Sequence, residues 1–322
     1  MSKYDVLKKS NSEATLNSLT HPNFFVIGAA KSGTTSLWMY LKQHPEIFMP
    51  KERARKEPSY FCHLYGISDF NKYLKLFEGA YRYSAIGEAS HAYLSSPESA
   101  KWIYDTYPNA KIIIVLRNPI ERAYSLYNWM ICEGYEKVYP FEAALEEEYK
   151  RIASDKFKYD NGQYYYNFLY YQSGLYYHQI KRYVDLFPSN QIRILLFENF
   201  VENTRDELKK LYRFLGVNDS FKLKTGAHNK RREVFSIPIQ YYLKRHFHNH
   251  LSKVRIPYSA ATIIQQKLMK YNIDLGKKLC RNRAKEETQR ALVERYQEDI
   301  VKVEHLIDAD LKKWYTSKID LC

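Results

Sequence analysis

At 322 residues and 45% apolar content the chain can bury one large core or two small ones, and its net charge of +14 (50 Lys and Arg against 36 Asp and Glu) favours an anionic ligand or surface partner. The longest apolar runs, around Phe25 and Ile113, have strand length, well short of the roughly 20 residues of a membrane span, so no spanning segment is expected. Cys62, Cys132, Cys280 and Cys322 form no C-x-x-C pair and read as reduced thiols of a cytoplasmic protein without a metal site.

Met1 to His21 is polar and lacks the apolar core of a secretory signal, so residues 1–20 are expected to be a loose tail. The apolar run Asn23–Gly28 reads as a strand, followed by a glycine-bounded loop and a helix from about Thr34 to Gln43, ended by His44-Pro45. A charged loop, Lys51 to Glu57, leads to Pro58-Ser59-Tyr60-Phe61, and a short helix is expected over Ser68–Phe77. Tyr83–Glu88 reads as a second strand, and Ser96-Pro97-Glu98 as the start of a helix running to about Tyr107. Lys111–Leu116 is the clearest strand; its nearly continuous β-branched run suits a central parallel strand covered on both faces.

A helix is expected from Pro119 to about Glu133, with Arg122 on its exposed side, and another over the acidic stretch Phe141–Lys150. The tyrosine-rich segment Gln163–Tyr177 has no clear period and reads either as an acceptor-pocket lining or as packing tyrosines. Helix resumes over Leu175–Phe187, strand over Gln191–Phe197, and helix over Asn203–Leu215, stopped by Gly216. Lys222–Arg283 carries 15 Lys and Arg against 2 Asp and Glu, a source of peripheral membrane or glycan contact or a solvated helical face, and a terminal helix spans about 285–315. Alternating strands and helices predict an α/β fold, a single-domain three-layer sandwich over residues 21–322 with a central parallel sheet. No nucleic-acid recognition motif accompanies the charge.

The loop Gly28-Ala29-Ala30-Lys31-Ser32-Gly33-Thr34-Thr35-Ser36 aims backbone N–H groups and a helix N-terminus at an anion. It nearly fits the nucleotide P-loop, but Thr34 stands where that motif needs lysine, and Lys31 lies three positions earlier. The strand Ile112–Leu116 ends in Arg117, where an Mg²⁺-dependent NTPase would place an aspartate. A cation there suits a second anionic group and weighs against a P-loop kinase; a non-catalytic adenine-nucleotide binder is the other alternative.

This pattern resembles the sulfotransferase superfamily, whose donor is 3′-phosphoadenosine-5′-phosphosulfate (PAPS) and whose product is 3′-phosphoadenosine-5′-phosphate. Lys31-Ser32-Gly33-Thr34-Thr35-Ser36 looks like the family's 5′-phosphosulfate loop, and Arg117-Asn118-Pro119 with Ser125 looks like its 3′-phosphate motif, about 85 residues later. Gly174–Ile180 and Leu196–Phe200 are similar to later family segments. The resemblance implies that Ser32, Gly33, Thr34, Thr35 and Ser36 hold the 5′-phosphate, that Lys31 steadies the leaving charge, and that Arg117 and Ser125 grip the 3′-phosphate. It implies Glu57, in Glu57-Pro58-Ser59-Tyr60-Phe61, as the base of a glycan-type enzyme, with His91 as the rival base of the cytosolic small-molecule type. Ala89 stands where both branches have a lysine at or near that place. Tyr176 matches a position that often stacks the adenine, and Lys230, Arg231 and Arg232 lie where a basic loop closes over the donor. The acceptor is expected to be a hydroxyl or amine of a small metabolite or natural product, with a glycan or glycolipid as the alternative, and no metal is expected to take part.

Overall fold

A computed structural model describes residues 20–50, 57–222, 234–247, 258–276 and 284–316. Lys230, Arg231, Arg232, Cys280, Cys322, most of the expected N-terminal tail and much of the basic 222–283 stretch lie outside the described residues. In chain order the elements begin β1 (Phe24–Gly28), α1 (Thr34–Leu41), β2 (Ile47–Phe48), α2 (Phe70–Leu74), β3 (Ala85–Ala89), α3 (Ala92–Ser95), α4 (Ser99–Thr106) and β4 (Lys111–Leu116). They continue with α5 (Pro119–Cys132), α6 (Phe141–Ile152), α7 (Asp155–Tyr159), α8 (Tyr176–Val184), β5 (Ile192–Leu196), α9 (Phe197–Glu202) and α10 (Thr204–Leu215). The last are α11 (Ile237–Arg245), α12 (Tyr258–Gly276), α13 (Glu286–Ile307) and α14 (Lys313–Thr316).

By packing, the chain divides into two compact units, one comprising residues 1–118, 175–229 and 299–310 and the other 119–174, 230–298 and 311–322. The first holds the five-stranded sheet, in the order β2-β3-β1-β4-β5, with every pairing parallel. Parallel strands need both faces covered, and the strand sequences meet that need: β1 is buried throughout and β4 is buried from Ile112 to Leu116. Phe24, Val26, Ala85, Ala89, Ile113 and Val115 join one core cluster with residues of α1 and α10. Because side chains alternate along a strand, Phe25 and its register partner Glu88 take the other face, where Phe25 meets the rings of Phe61, Tyr93 and Tyr107. Since all strands run the same way, the loops after β1, β3, β4 and β5 leave the sheet at one edge. β1 has β3 on one side and β4 on the other, so the connections diverge from it, and such a switch point is where open α/β sheets bind ligands.

The other unit is helical. Its interior is built on α5, which buries Arg122 completely, contrary to the expected exposed side. Arg122 donates to the Tyr170 carbonyl, and its charge is one of the influences that lower the Glu148 pKa. Tyr164, Tyr165 and Tyr170 are buried here, Tyr170 donating to Glu136, which pairs with Arg151 at 2.8 Å. The tyrosine run is therefore packing material. Glu148 accepts from the N–H groups of Tyr171 and Gln172; burial raises its pKa to about 7 against these bonds.

Other differences from the sequence reading are local. The two-residue edge strand β2 has too little length to leave a pattern, and α3 precedes the helix expected from Ser96. The strand expected to run to Phe197 stops at Leu196, and α9 begins immediately. Gly216 ends α10 in the left-handed region, as its position implied (φ 82°).

Candidate active site

The loop between β1 and α1 turns on two left-handed residues, Lys31 (φ 64°) and Gly33 (φ 85°). Gly33 is required there twice over: by its φ, and because a Cβ would lie 2.9 Å from the Phe197 ring. As the residue preceding α1, it offers no capping side chain, so the first-turn N–H groups of Thr34, Thr35 and Ser36 have no capping side chain from Gly33. The hydroxyl of Ser32, fully buried in the same loop, has no hydrogen-bond partner. Backbone N–H groups, a helix N-terminus and a spare buried hydroxyl form a fitting cradle for a phosphate or sulfate group.

Arg117 leaves the end of β4 beside this loop, its guanidinium donating to the Lys31 carbonyl at 3.3 Å. It lies over the Phe197 ring, 4.7 Å from the centroid. Phe197, the first residue of α9, thus touches both motifs: it fills the space a Cβ of Gly33 would need and supports the guanidinium. Sequence reasoning gave Phe197 no role, although it lies in a segment noted as family-like. Tyr176, 1% exposed, donates its hydroxyl to the Arg117 carbonyl at 3.0 Å. Its own N–H, at the start of α8, is held at 2.7 Å by the Asp299 carboxylate, and burial raises the pKa of that carboxyl. The next peptide is fixed as well, Asn118 N–H donating to Glu198 at 2.9 Å. Ser125 is half-buried on α5, in the helical unit.

The two rival bases meet. His91 Nδ1 lies 2.9 Å from Glu57 Oε2, with side-chain exposures of 14% and 30%. An ionised carboxylate at Nδ1 selects the tautomer that carries its proton there. Ala89, at the end of β3, is buried against the core.

Behind this pair is Glu88, which sequence reasoning passed over; the available signal was a lone charge in an otherwise apolar strand. It is fully buried and accepts from Tyr73 at 2.8 Å, Tyr93 at 2.7 Å and Ser90 at 2.7 Å. Burial raises its pKa to about 7; the three hydroxyl bonds act in the opposite direction, and the charge of Glu57 adds to the rise. Burial, with Glu88 next, holds the Tyr73 and Tyr93 hydroxyls well above the usual phenol range, so both remain donors. Among the described residues, no group of three or more His, Cys, Asp or Glu side chains is placed to hold a metal ion. No helix among them is long and apolar enough to cross a membrane.

Comparison with known proteins bears directly on this arrangement. A family model described as "Sulfotransferase domain" matches residues 21–236. A sulfotransferase from Alicyclobacillus acidocaldarius has a similar structure, with a TM-score of 0.67 and 29% identity over 92% of this chain and 99% of that one. The membrane-associated sulfotransferase kil1 of Dictyostelium discoideum is 37% identical over 134 residues, 39% of this chain and 28% of that protein. Carbohydrate sulfotransferase 15 of Homo sapiens is 26% identical over 270 residues, 66% of this chain and 47% of that protein. The chain thus spans less than half the length of these two curated relatives.

Proposed function

The chain belongs to the sulfotransferase family, and from that premise we propose that it transfers a sulfuryl group from PAPS to an acceptor hydroxyl or amine, with Glu57 as the base. The observation that carries the reading is the meeting of the two anion motifs: Arg117 donates to the loop that holds Lys31, next to a helix start without a side-chain cap and a partnerless buried hydroxyl on Ser32. When bound, PAPS supplies the activated sulfuryl group and a bisphosphate leaving group.

The residues then divide the work. Ser32, Gly33, Thr34, Thr35 and Ser36 would hold the 5′-phosphate through N–H groups and hydroxyls. Lys31 brings positive charge to the mouth of the loop, where it stabilises charge that grows on a departing phosphate more than charge already present. Arg117, fixed at its carbonyl by Tyr176 and supported by Phe197, would take the 3′-phosphate by charge-assisted bonds. Tyr176, with its ring enclosed, is assigned to holding Arg117 rather than to stacking on adenine. Ser125 as a second 3′-phosphate donor, and Lys230, Arg231 and Arg232 as a closing basic loop, rest on the motif alone.

Between the rival bases, the exposures favour Glu57 as the group that meets the acceptor and His91 as the group that orients it. Glu57 Oε2 lies 2.9 Å from His91 Nδ1, and the Glu57 carboxylate is assigned to take the acceptor proton. The glycan-type place of Glu57 favours a carbohydrate acceptor over a small metabolite, in line with the human relative being a carbohydrate sulfotransferase. Thermal shift with adenosine 3′,5′-bisphosphate, ATP and 5′-AMP tests the donor site: a large shift with the bisphosphate alone is expected, and equal shifts would overturn the assignment of Arg117. Radiolabelled PAPS offered to N-acetylheparosan oligosaccharides and to simple phenols tests the acceptor class. Labelling of phenols alone would return the acceptor to the small-metabolite type.

A further inference from the structure

Glu57 and His91 lie 34 positions apart in the sequence, yet their side chains meet at 2.9 Å. Neither sits on a regular element: Glu57 opens the segment 57–63, and His91 stands between β3 and α3. We infer that Glu88 is a positioning residue whose carboxylate, through the hydroxyls of Ser90 and Tyr93, fixes the Glu57 segment against the strand end that carries His91. The inference rests on reading Glu57 and His91 as the acceptor-side pair.

Hydrogen-bond direction carries the argument. Ser90 Oγ and Tyr93 Oη each give their proton to Glu88, so each must offer lone pairs to anything else. Backbone donors of the Glu57 segment use those lone pairs: Ser59 N–H reaches Ser90 Oγ at 3.0 Å, and Phe61 N–H reaches Tyr93 Oη at 3.4 Å. Once ionised, above about pH 7, Glu88 is an acceptor-only group and turns two hydroxyls into acceptors for the segment, so the test below is read at about pH 8 or higher. Among the described residues, every side chain donating to Glu88 does so through a hydroxyl. Tyr73 also donates to Glu88 but reaches no N–H of the segment, so it serves as an internal control.

The segment needs such a hold. Ser59, two residues after Glu57, is left-handed at φ 48°, a conformation an L side chain keeps only when its surroundings impose it. Other ties secure the same stretch: Ser99 Oγ donates to the Phe61 carbonyl at 2.6 Å, and Glu98 accepts from His63 N–H at 2.6 Å. Within the loop, Ile67 N–H reaches the Pro58 carbonyl at 2.8 Å and Cys62 N–H the Ser59 carbonyl at 3.2 Å, but none of these joins the stretch to the residues just after β3. The Ser90 bond is made at Ser59 itself.

The test reads the Glu57–His91 contact directly. In protein labelled with ¹⁵N-histidine, Glu57→Gln should displace the His91 Nδ1 resonance in the wild-type and Tyr73→Phe backgrounds and leave it unmoved in Ser90→Ala. Equal displacement in the wild-type and Ser90→Ala backgrounds would overturn the inference. Glu88→Gln, which still accepts from both tyrosines and can donate to Ser90, should retain the displacement, and Glu88→Ala should lose it. If Ser90→Ala fails to fold, Tyr93→Phe takes its place, with the same expected loss and the same overturning result. Calorimetric titration with adenosine 3′,5′-bisphosphate accompanies each variant. Binding unchanged within about twofold shows an intact donor site; absence of binding to the wild type would instead sink the donor assignment, while the resonance still decides the role of Glu88.

Discussion

The loop after β1 and the segment around Glu57 adjoin neighbouring strands of one sheet, yet they are built differently. The loop relies on the main chain: two left-handed residues, a helix start and one arginine bonded to a loop carbonyl. The Glu57 segment relies on side chains, with a buried carboxylate orienting hydroxyls that in turn hold peptide N–H groups. A site for a fixed, highly charged donor can be made of backbone, whose donors are present whatever the side chains. A site that must place one proton acceptor against a variable acceptor molecule is set by a side-chain network.

The difference is sharpest at the base. Glu57→Gln is expected to lower turnover by about 10²- to 10⁴-fold while leaving bisphosphate affinity unchanged, measured by labelled-PAPS transfer alongside calorimetry. Should His91→Ala cause that loss and Glu57→Gln not, the roles of the pair are reversed. Lys31→Ala is expected to cost about 10²- to 10³-fold in turnover, the scale for removing one group that stabilises a developing anion. Arg117→Ala strikes the same side by another route. Loss of a charge-assisted contact of about 1.5–3 kcal/mol should weaken 3′,5′-bisphosphate roughly 10- to 100-fold and leave 5′-AMP unaffected.

These residues also mark how far the sequence could be read. β4 was legible because a buried parallel strand demands the continuous apolar run that Lys111–Leu116 supplies. The proposed donor loop was legible because an anion cradle resides in backbone conformation, which glycine and hydroxyl residues announce locally. The acceptor side was half legible: Glu57 and His91 were each visible, but their contact depends on β2, which precedes Glu57, lying next to β3, which precedes His91, and on an αL serine. Glu88 stood out as a lone charge in an apolar strand, but its burial was not legible, because such a charge signals exposure unless its hydroxyl partners, 2 to 15 positions away, are known. Arg122 misled for the same reason, its enclosure depending on segments about 50 residues downstream.

Smaller effects extend the contrast to stability. Gly33→Ala meets both a positive φ and the Phe197 ring, and is expected to cost about 1–2 kcal/mol in denaturant unfolding. On the other side, Glu88 has its pKa raised to about 7 in the folded chain, so the native state keeps a proton that the unfolded chain loses above the ordinary carboxylate range. Its contribution to stability is complete at acid pH and is lost as pH rises towards and through 7. Glu148 acts in the same direction, so Glu88→Gln should flatten only part of the decline between about pH 5 and pH 8.

The hydroxyl network around Glu88 carries a consequence for ionic strength. Fully buried and served by neutral donors, it offers dissolved ions neither access nor an ion pair to screen. Arg117 and Lys31, both half-exposed on a chain of net charge +14, would have the pull proposed for them on an incoming bisphosphate attenuated by added salt. Raising salt should therefore slow donor capture while the Glu57–His91 geometry stays as it was. The two halves of the proposed site then become separable by sodium chloride alone.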